Sequence, residues 1–220
     1  MDGTLVDSEK VWDIALHELA RRAGGTLSPQ ARHAMIGSNM GRTMQLFRDD
    51  LNQPDRPEEP DVAWLTDRVF ELFGRGLVWR PGAYELLRAV RAAGIPTALV
   101  TSTGRKLVEV ALDTLGRENF DAVVCGDEVR SHKPDPEPYR TAAGLLGVRI
   151  EDCVAIEDSP VGVASAVASG AAVLAVPAEL ELPATTGVRL LTTLEGIDPA
   201  YLARLLSELP RSGTKGQQAG

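Results

Sequence analysis

Two cysteines, three histidines and 5% aromatic residues are all that this 220-residue chain offers in those classes, and each scarcity excludes something. Cys125 and Cys153 lie in separate apolar runs, without CxxC spacing or neighbouring histidines, so they read as reduced core thiols; neither a disulfide framework nor a zinc site is expected. No apolar stretch approaches the roughly 18 residues that a membrane span requires. Residues 1–20 are acidic where a secretory leader would be basic and then apolar. Positive charge is also in short supply, with 23 basic residues against 31 acidic and a formal net charge of -8. Without a basic stripe and interleaved aromatics, nucleic acid is excluded as a partner. The expectation is a cytoplasmic chain without membrane contact, monomeric or weakly dimeric, whose partner is a small molecule.

What is present is apolar patterning. With 44% hydrophobic residues over this length the chain can bury a full core. From Pro81 onward, short β-branched runs alternate with helical patterns, at residues 95–101 (IPTALVT), 121–125 (DAVVC), 153–157 (CVAIE), 171–176 (AAVLAV) and 188–191 (VRLL). This alternation predicts an α/β fold with a Rossmann-like, mainly parallel sheet covered by helices. Asp135-Pro136, Ser159-Pro160 and Asp198-Pro199 each put a capping side chain ahead of a proline at the first helical position. Gly94, Gly116, Gly147 and Gly170 stand where helices should stop. Residues 9–80 carry only helical spacing, as in Val62, Leu65, Val69, Leu72 and Phe73, which predicts an all-helical insert in a core made of residues 1–8 and 81–209. Residues 52–60 (NQPDRPEEP) form a proline-rich turn between two of its helices. Residues 210–220 lack large apolar side chains and are expected to be a disordered tail.

Four loops carry candidate chemistry, and each also has a purely structural reading. Asp2-Gly3-Thr4 is by itself a turn signal. Thr101-Ser102 ends the strand ALVT just before a helix begins at Gly104. A hydroxyl there can cap the helix, or it can hold a ligand beyond the strand's carboxyl end, where helix amides favour phosphate. Lys133, pushed into an extended conformation by Pro134, is either a solvated lysine or an aimed cation; His132 beside it has no partner at ligand spacing and reads as surface. Glu157-Asp158 follow an apolar run and precede a helix that Asp158 could cap. As a pair, two carboxylates about 4 Å apart repel by roughly 4 kcal/mol at an effective dielectric near 20, so they call for a cation. All-oxygen ligands with few imidazoles favour Mg²⁺ over Zn²⁺. The joint order, with each motif at the exit of a βα unit, turns four weak signals into one site around Asp2, Thr101, Lys133 and Asp158.

The stretches DGTLVDSE (2–9), ALVTS (98–102), SHKPDPEPY (131–139) and VAIEDSPVGVASAVASG (154–170) closely resemble the haloacid dehalogenase (HAD) superfamily of phosphotransferases. The likeness is to the subgroup with a helical cap that includes β-phosphoglucomutase-like phosphatases, and it covers everything but the tail. The resemblance implies a Mg²⁺-dependent phosphatase acting on a small phosphorylated metabolite through an aspartyl-phosphate. Carried over by position, Asp2 would serve as general acid and base and would offer its backbone carbonyl to Mg²⁺. Thr101 and Lys133, with Ser102 beside them, would hold the phosphoryl oxygens, and Asp158 would ligate the metal with Glu157 supporting it through water. Gly3 would let the backbone turn tightly.

The departure from the family is at the first residue. Its motif is DxDGT, in which the first aspartate attacks phosphorus, and here Met1 holds the place of x. The strand leading into that aspartate is likewise outside the 220 residues. The expectation is therefore a sheet without its central first strand and little or no turnover by the chain as written, with a start upstream of Met1 restoring the nucleophile. Residues 11–80 contain no lysine, which disfavours phosphonate hydrolysis through a Schiff base. A hexose-phosphate mutase is an alternative, although Trp12 stands about where such enzymes commonly carry a histidine. A non-catalytic phosphometabolite-binding protein is another. Arg42, in GSNMGRT (37–43), is a candidate contact to an anionic substrate or a solvated helix-end arginine.

Overall fold

The computed structural model describes residues 1–178, 180–182 and 185–209; the expected tail lies outside them. Four helices come first, α1 (Glu9–Arg22), α2 (Pro29–Met35), α3 (Met40–Asp50) and α4 (Glu58–Phe73), with no strand among them. Their starts follow from local chemistry. Ser28 and Asn39 cap α2 and α3 by accepting from the amides of Ala31 and Arg42. Glu58, Glu59 and Asp61 occupy the first turn of α4, at the positive end of its dipole. The same helix lays Leu65, Val69, Leu72 and Phe73 inward, each buried, at about 1.5–3 kcal/mol per large side chain.

Strands and helices then alternate. They are α5 (Ala83–Ala92), β1 (Ala98–Val100), α6 (Arg105–Leu115), β2 (Ala122–Val124), α7 (Glu137–Leu146), β3 (Val154–Glu157), α8 (Pro160–Ser169), β4 (Ala172–Ala175), β5 (Val188–Leu190) and α9 (Pro199–Glu208). Every strand pair is parallel. Ser159 and Asp198 cap their helices as expected, accepting from Gly162 and Tyr201. In α7 the helix begins one residue later than expected: Pro136 precedes it, and the Asp135 carboxylate accepts the Glu137 amide at 2.8 Å.

The incoming and outgoing connections of the helical segment run side by side. Val6, fully buried, bridges antiparallel to Trp79. The Asp7 amide donates to the Val78 carbonyl, and the Arg80 amide to that of Leu5, both at 2.8 Å. This seam pins residues 1–8 against the start of the α/β portion, so the position of Asp2 is fixed from two directions.

The strands fall into two sheets, in keeping with the expectation of a sheet without its central first strand. β1 pairs with β2, β3 with β4 and β4 with β5, while β1 and β3 do not hydrogen-bond to each other. An apolar cavity of about 680 Å³ separates them. Leu99 and Val100 line one side, Val154, Ala155 and Ile156 the other, and Met1 stands among its lining residues. Leu86 and Val90 of α5 and Ala142 and Ala143 of α7 cover its faces.

Among the described residues no helix is long and apolar enough to cross a membrane. Cys125 is buried and Cys153 half-buried, both unpaired. Burial pushes the Cys125 thiol up to about 12 and raises Cys153 as well, which makes both poor nucleophiles.

Candidate active site

Loops at the carboxyl ends of β1 and β3 meet the turn at Met1–Thr4 and the Lys133 loop around a cavity of about 100 Å³. The turn closes tightly: the Leu5 amide donates to the Met1 carbonyl and the Gly3 amide to that of Val6, both at 2.9 Å. Gly3 has φ +67°, and a Cβ there would lie 2.1 Å from an Asp158 carboxylate oxygen. Gly3→Ala therefore combines a left-handed backbone, costing about 1–2 kcal/mol, with displacement of Asp158. The expected result is a melting temperature lowered by several degrees in a thermal unfolding scan.

The Asp2 carboxylate is held by hydroxyls and an indole. Ser8 Oγ donates to Oδ1 at 2.6 Å and Thr103 Oγ1 to Oδ2 at 2.8 Å. Trp12 Nε1 reaches Oδ1 at 3.3 Å and Thr101 Oγ1 reaches Oδ2 at 3.5 Å. Four donors from two chain segments, the start of α1 and the loop after β1, thus fix one carboxylate. The amide end of α6 is less open than the sequence implied, because the Arg105 amide is bound by the Asp127 carboxylate at 3.0 and 3.1 Å. Ser102, Thr103 and Gly104 still line the cavity.

Lys133 and Glu157 form a buried ion pair at 2.5 Å, with side chains 8% and 5% exposed. Lys133 Nζ also donates to the Val100 carbonyl at 3.3 Å and to Tyr139 Oη at 3.4 Å. The Tyr139 hydroxyl donates to the same Glu157 oxygen. Burial pushes the Glu157 carboxyl up, but the Lys133 ammonium and these hydrogen bonds outweigh it, leaving the group below its ordinary range. Tyr139 is raised well above its ordinary value by burial and then by the Glu157 charge. Glu157 lines the cavity, and its Oε1 faces Lys133 and Tyr139, an ammonium compensating a buried carboxylate at contact distance.

Asp158, also buried, accepts a 2.5 Å hydrogen bond from Thr4 Oγ1. Burial first, then the neighbouring Glu157 charge, raise its carboxyl to about 7. The cavity is lined by oxygen donors with neither histidine nor cysteine, a donor set suited to Mg²⁺, which keeps several of its waters and needs few protein ligands. Among the described residues no three His, Cys, Asp or Glu side chains form a ready-made metal cluster, so Asp158 is the side chain that fits best.

The helical segment forms the opposite wall. Glu9, Trp12 and Leu16 of α1 and Arg32 and Met35 of α2 face the cavity. Met40 and Thr43 of α3 do so too. Arg42 does not. Because Asn39 caps α3, Met40 and Thr43 share one face at i, i+3, whereas Arg42 is turned about 200° from Met40; it is exposed and donates to Gln45 at 2.9 Å. His132 is exposed, as its lack of partners implied.

Residues 1–170 match the family described as haloacid dehalogenase-like hydrolase. The chain belongs to that family. This HAD-like hydrolase is 33% identical over 199 residues to hexitol phosphatase A of Escherichia coli (strain K12), across 90% of each chain. It is 39% identical over 175 residues to validoxylamine A 7'-phosphate phosphatase of Streptomyces hygroscopicus subsp. limoneus, covering 77% of this chain and 79% of that one. Its structure resembles that of CbbY from Rhodobacter sphaeroides in complex with phosphate, with a TM-score of 0.80 and 28% identity over 92% of this chain and 96% of the other. The HAD-like hydrolase is thus a phosphatase of the β-phosphoglucomutase and CbbY-like subgroup, with a helical cap.

Of the residues singled out from sequence, Asp2, Thr101, Ser102, Lys133, Glu157 and Asp158 all line the one cavity in this HAD-like hydrolase, and Arg42 lies outside it. Sequence reasoning missed Ser8 and Thr103 on Asp2, Thr4 on Asp158 and Tyr139 on Glu157. All four lie inside or beside the quoted motifs. Their hydroxyls drew no notice because serine, threonine and tyrosine are common, and only the fold shows what each one reaches.

Proposed function

We propose that this phosphatase hydrolyses monophosphate esters of sugars or polyols with Mg²⁺, residues 9–80 serving as a cap over a core of residues 1–8 and 81–209. One observation carries the reading: Asp2, Thr101, Ser102, Lys133 and Asp158 come from four separate loops and line a single cavity. The substrate class is supported by relatives named hexitol phosphatase A and, in Thermotoga maritima, phosphorylated carbohydrates phosphatase.

In this reading Asp2 protonates the leaving oxygen and later takes a proton from water, its carboxylate aimed by Ser8, Thr103 and Trp12. The Thr101 and Ser102 hydroxyls and the Lys133 ammonium hold the transferring oxygens. Glu157 positions Lys133. Asp158 and the Asp2 carbonyl would hold Mg²⁺, which would supply charge neutralisation at the phosphoryl group. The indole of Trp12 is a donor only and cannot relay a proton, which favours hydrolysis over sugar-phosphate mutation.

An attacking carboxylate remains to be assigned. Asp2 is bound by Ser8, Trp12 and Thr103, Glu157 by Lys133 and Tyr139, and Asp158 by Thr4. By the family motif the nucleophile would stand directly ahead of Met1, and the apolar gap between β1 and β3, with Met1 in its lining, suits a strand that delivers it. The same occupied carboxylates also favour a second reading, a non-catalytic phosphometabolite-binding protein.

Isothermal titration with inorganic phosphate reads the site whether or not it turns over. Binding is expected with Mg²⁺, and at least tenfold weaker in Lys133→Ala and in Asp158→Asn. Phosphate binding indifferent to Mg²⁺ and to both substitutions would overturn the assignment.

A further inference from the structure

Tyr139, on α7, is buried and lines the apolar gap between β1 and β3, not the cavity that holds Asp2. It meets the site only through Lys133 and Glu157. Its hydroxyl donates to Glu157 Oε1, the oxygen that also accepts from Lys133, and the Lys133 ammonium stands 5.0 Å from the centroid of its ring. Burial and the neighbouring carboxylate keep the phenol protonated, so it faces Oε1 as a donor. The other carboxylate oxygen is held separately: Glu157 Oε2 accepts from the Asp158 amide at 3.3 Å and from the Ser159 hydroxyl at 3.5 Å. Gly162 leaves room for it, since a Cβ there would stand 1.9 Å from Oε2.

Oε1 is thus divided between one charged donor and one neutral donor. A hydrogen bond to an ionised acceptor is roughly twice as strong as a neutral one, so the phenol meets a substantial part of the demand that the carboxylate places on its partners. Without it, Lys133 would be the donor left on Oε1 among the described residues, and more of its charge would be neutralised by Glu157. Less would reach a phosphoryl oxygen. A second effect runs the other way. Lys133 Nζ donates to Tyr139 Oη at 3.4 Å, and loss of that acceptor frees a proton. Against 2.5 Å to Glu157, a bond of that length is the weaker one, so the first effect decides the sign.

We propose that Tyr139 is a positioning residue of the phosphate site: by sharing Glu157 Oε1 it leaves the Lys133 ammonium able to hold a phosphoryl oxygen. This rests on the phosphatase reading above, in which Lys133 grips the phosphoryl group, and adds to it a side chain from outside the cavity. A Tyr139 that only fills the core predicts something else. Loss of its hydroxyl would then lower stability and leave phosphate affinity where it was. A general loosening of the site would weaken phosphate and Mg²⁺ together, because Asp158 adjoins Glu157.

The test is Tyr139→Phe, which keeps the ring beside Lys133 and removes only the hydroxyl, with the melting temperature of the same sample showing that it is folded. In isothermal titration of the 220-residue chain with inorganic phosphate at saturating Mg²⁺, the variant is expected to bind about fivefold more weakly, the equivalent of roughly one net hydrogen bond. Titration with Mg²⁺ alone should agree between the two chains within about twofold, since Tyr139 donates to neither Asp158 nor Asp2. Adding Tyr139→Phe to the pair Lys133→Met and Glu157→Leu should change phosphate affinity by less than about twofold, because no shared carboxylate remains. An unchanged phosphate affinity in Tyr139→Phe, a matching loss of Mg²⁺ affinity, or the same fivefold loss after the pair has been replaced overturns the proposal. If inorganic phosphate does not bind the unsubstituted chain, the phosphatase reading fails first and takes this one with it.

Discussion

Joining five apolar, β-branched residues and an aspartate directly ahead of Met1 should raise phosphate release from a sugar monophosphate at least a hundredfold over the 220-residue chain. The physical basis is the cavity of about 680 Å³ between β1 and β3, walled on both sides by strands whose facing edges are not paired with each other. Both strands run toward the cavity that holds Asp2, ending at Val100 and at Glu157. A strand of five or six residues at about 3.3 Å per residue spans the depth of β1 and β3 and ends where Met1 begins. Its last side chain would then stand beside Asp2. Loss of a catalytic nucleophile costs up to about a millionfold in a well-studied hydrolase, so a hundredfold gain is a conservative threshold.

The same extension should raise stability. Ladder hydrogen bonds contribute about 1 kcal/mol net each, and four of them correspond to roughly 8–16 °C in melting temperature for a chain of this size. Ending the added strand in asparagine separates the two effects, since it should keep the thermal gain and lose the turnover. An extended chain that is neither faster nor more stable would sink the idea, as would brisk turnover by the unextended chain.

Glu157→Ala is expected to lower stability by about 3–5 kcal/mol in urea unfolding at pH 7, the range for removing one member of a buried ion pair. The carboxylate is the acceptor for both Lys133 and Tyr139, so its loss leaves an ammonium and a phenol buried together. Replacing both charges, as in Lys133→Met with Glu157→Leu, should cost less than the sum of the single changes, because no uncompensated charge remains. A loss below about 1 kcal/mol for Glu157→Ala would mean that water reaches Lys133 and that the pair is not insulated.

Much of this was legible in the sequence. All five strands fall inside the β-branched runs, because such side chains pack well on a half-buried pleat. Ser159 and Asp198 declare their helices through local hydrogen bonds that need no tertiary context. What stayed hidden depends on direction. Asn39 fixes where α3 starts, and that start alone decides that Met40 rather than Arg42 meets the cavity. Arg32 drew no attention because its partners, Glu9 and Asp13, are 23 and 19 residues away and belong to another helix. Glu157 drew attention only as the neighbour of Asp158, and its contacts with Lys133 and Tyr139, 24 and 18 residues away in sequence, show only in the fold.

The hydrogen bond from Lys133 to the Val100 carbonyl ties sheet closure to substrate grip. The Thr101 amide bonds across to Val124, so by strand alternation the Val100 carbonyl projects from the other edge of β1, into the gap. The ammonium has three protons, and Glu157, Tyr139 and Val100 engage all of them. A backbone amide pairing along that edge would compete with the ammonium for this carbonyl, and the displaced proton would be available to a phosphoryl oxygen while Glu157 keeps its hold on the lysine.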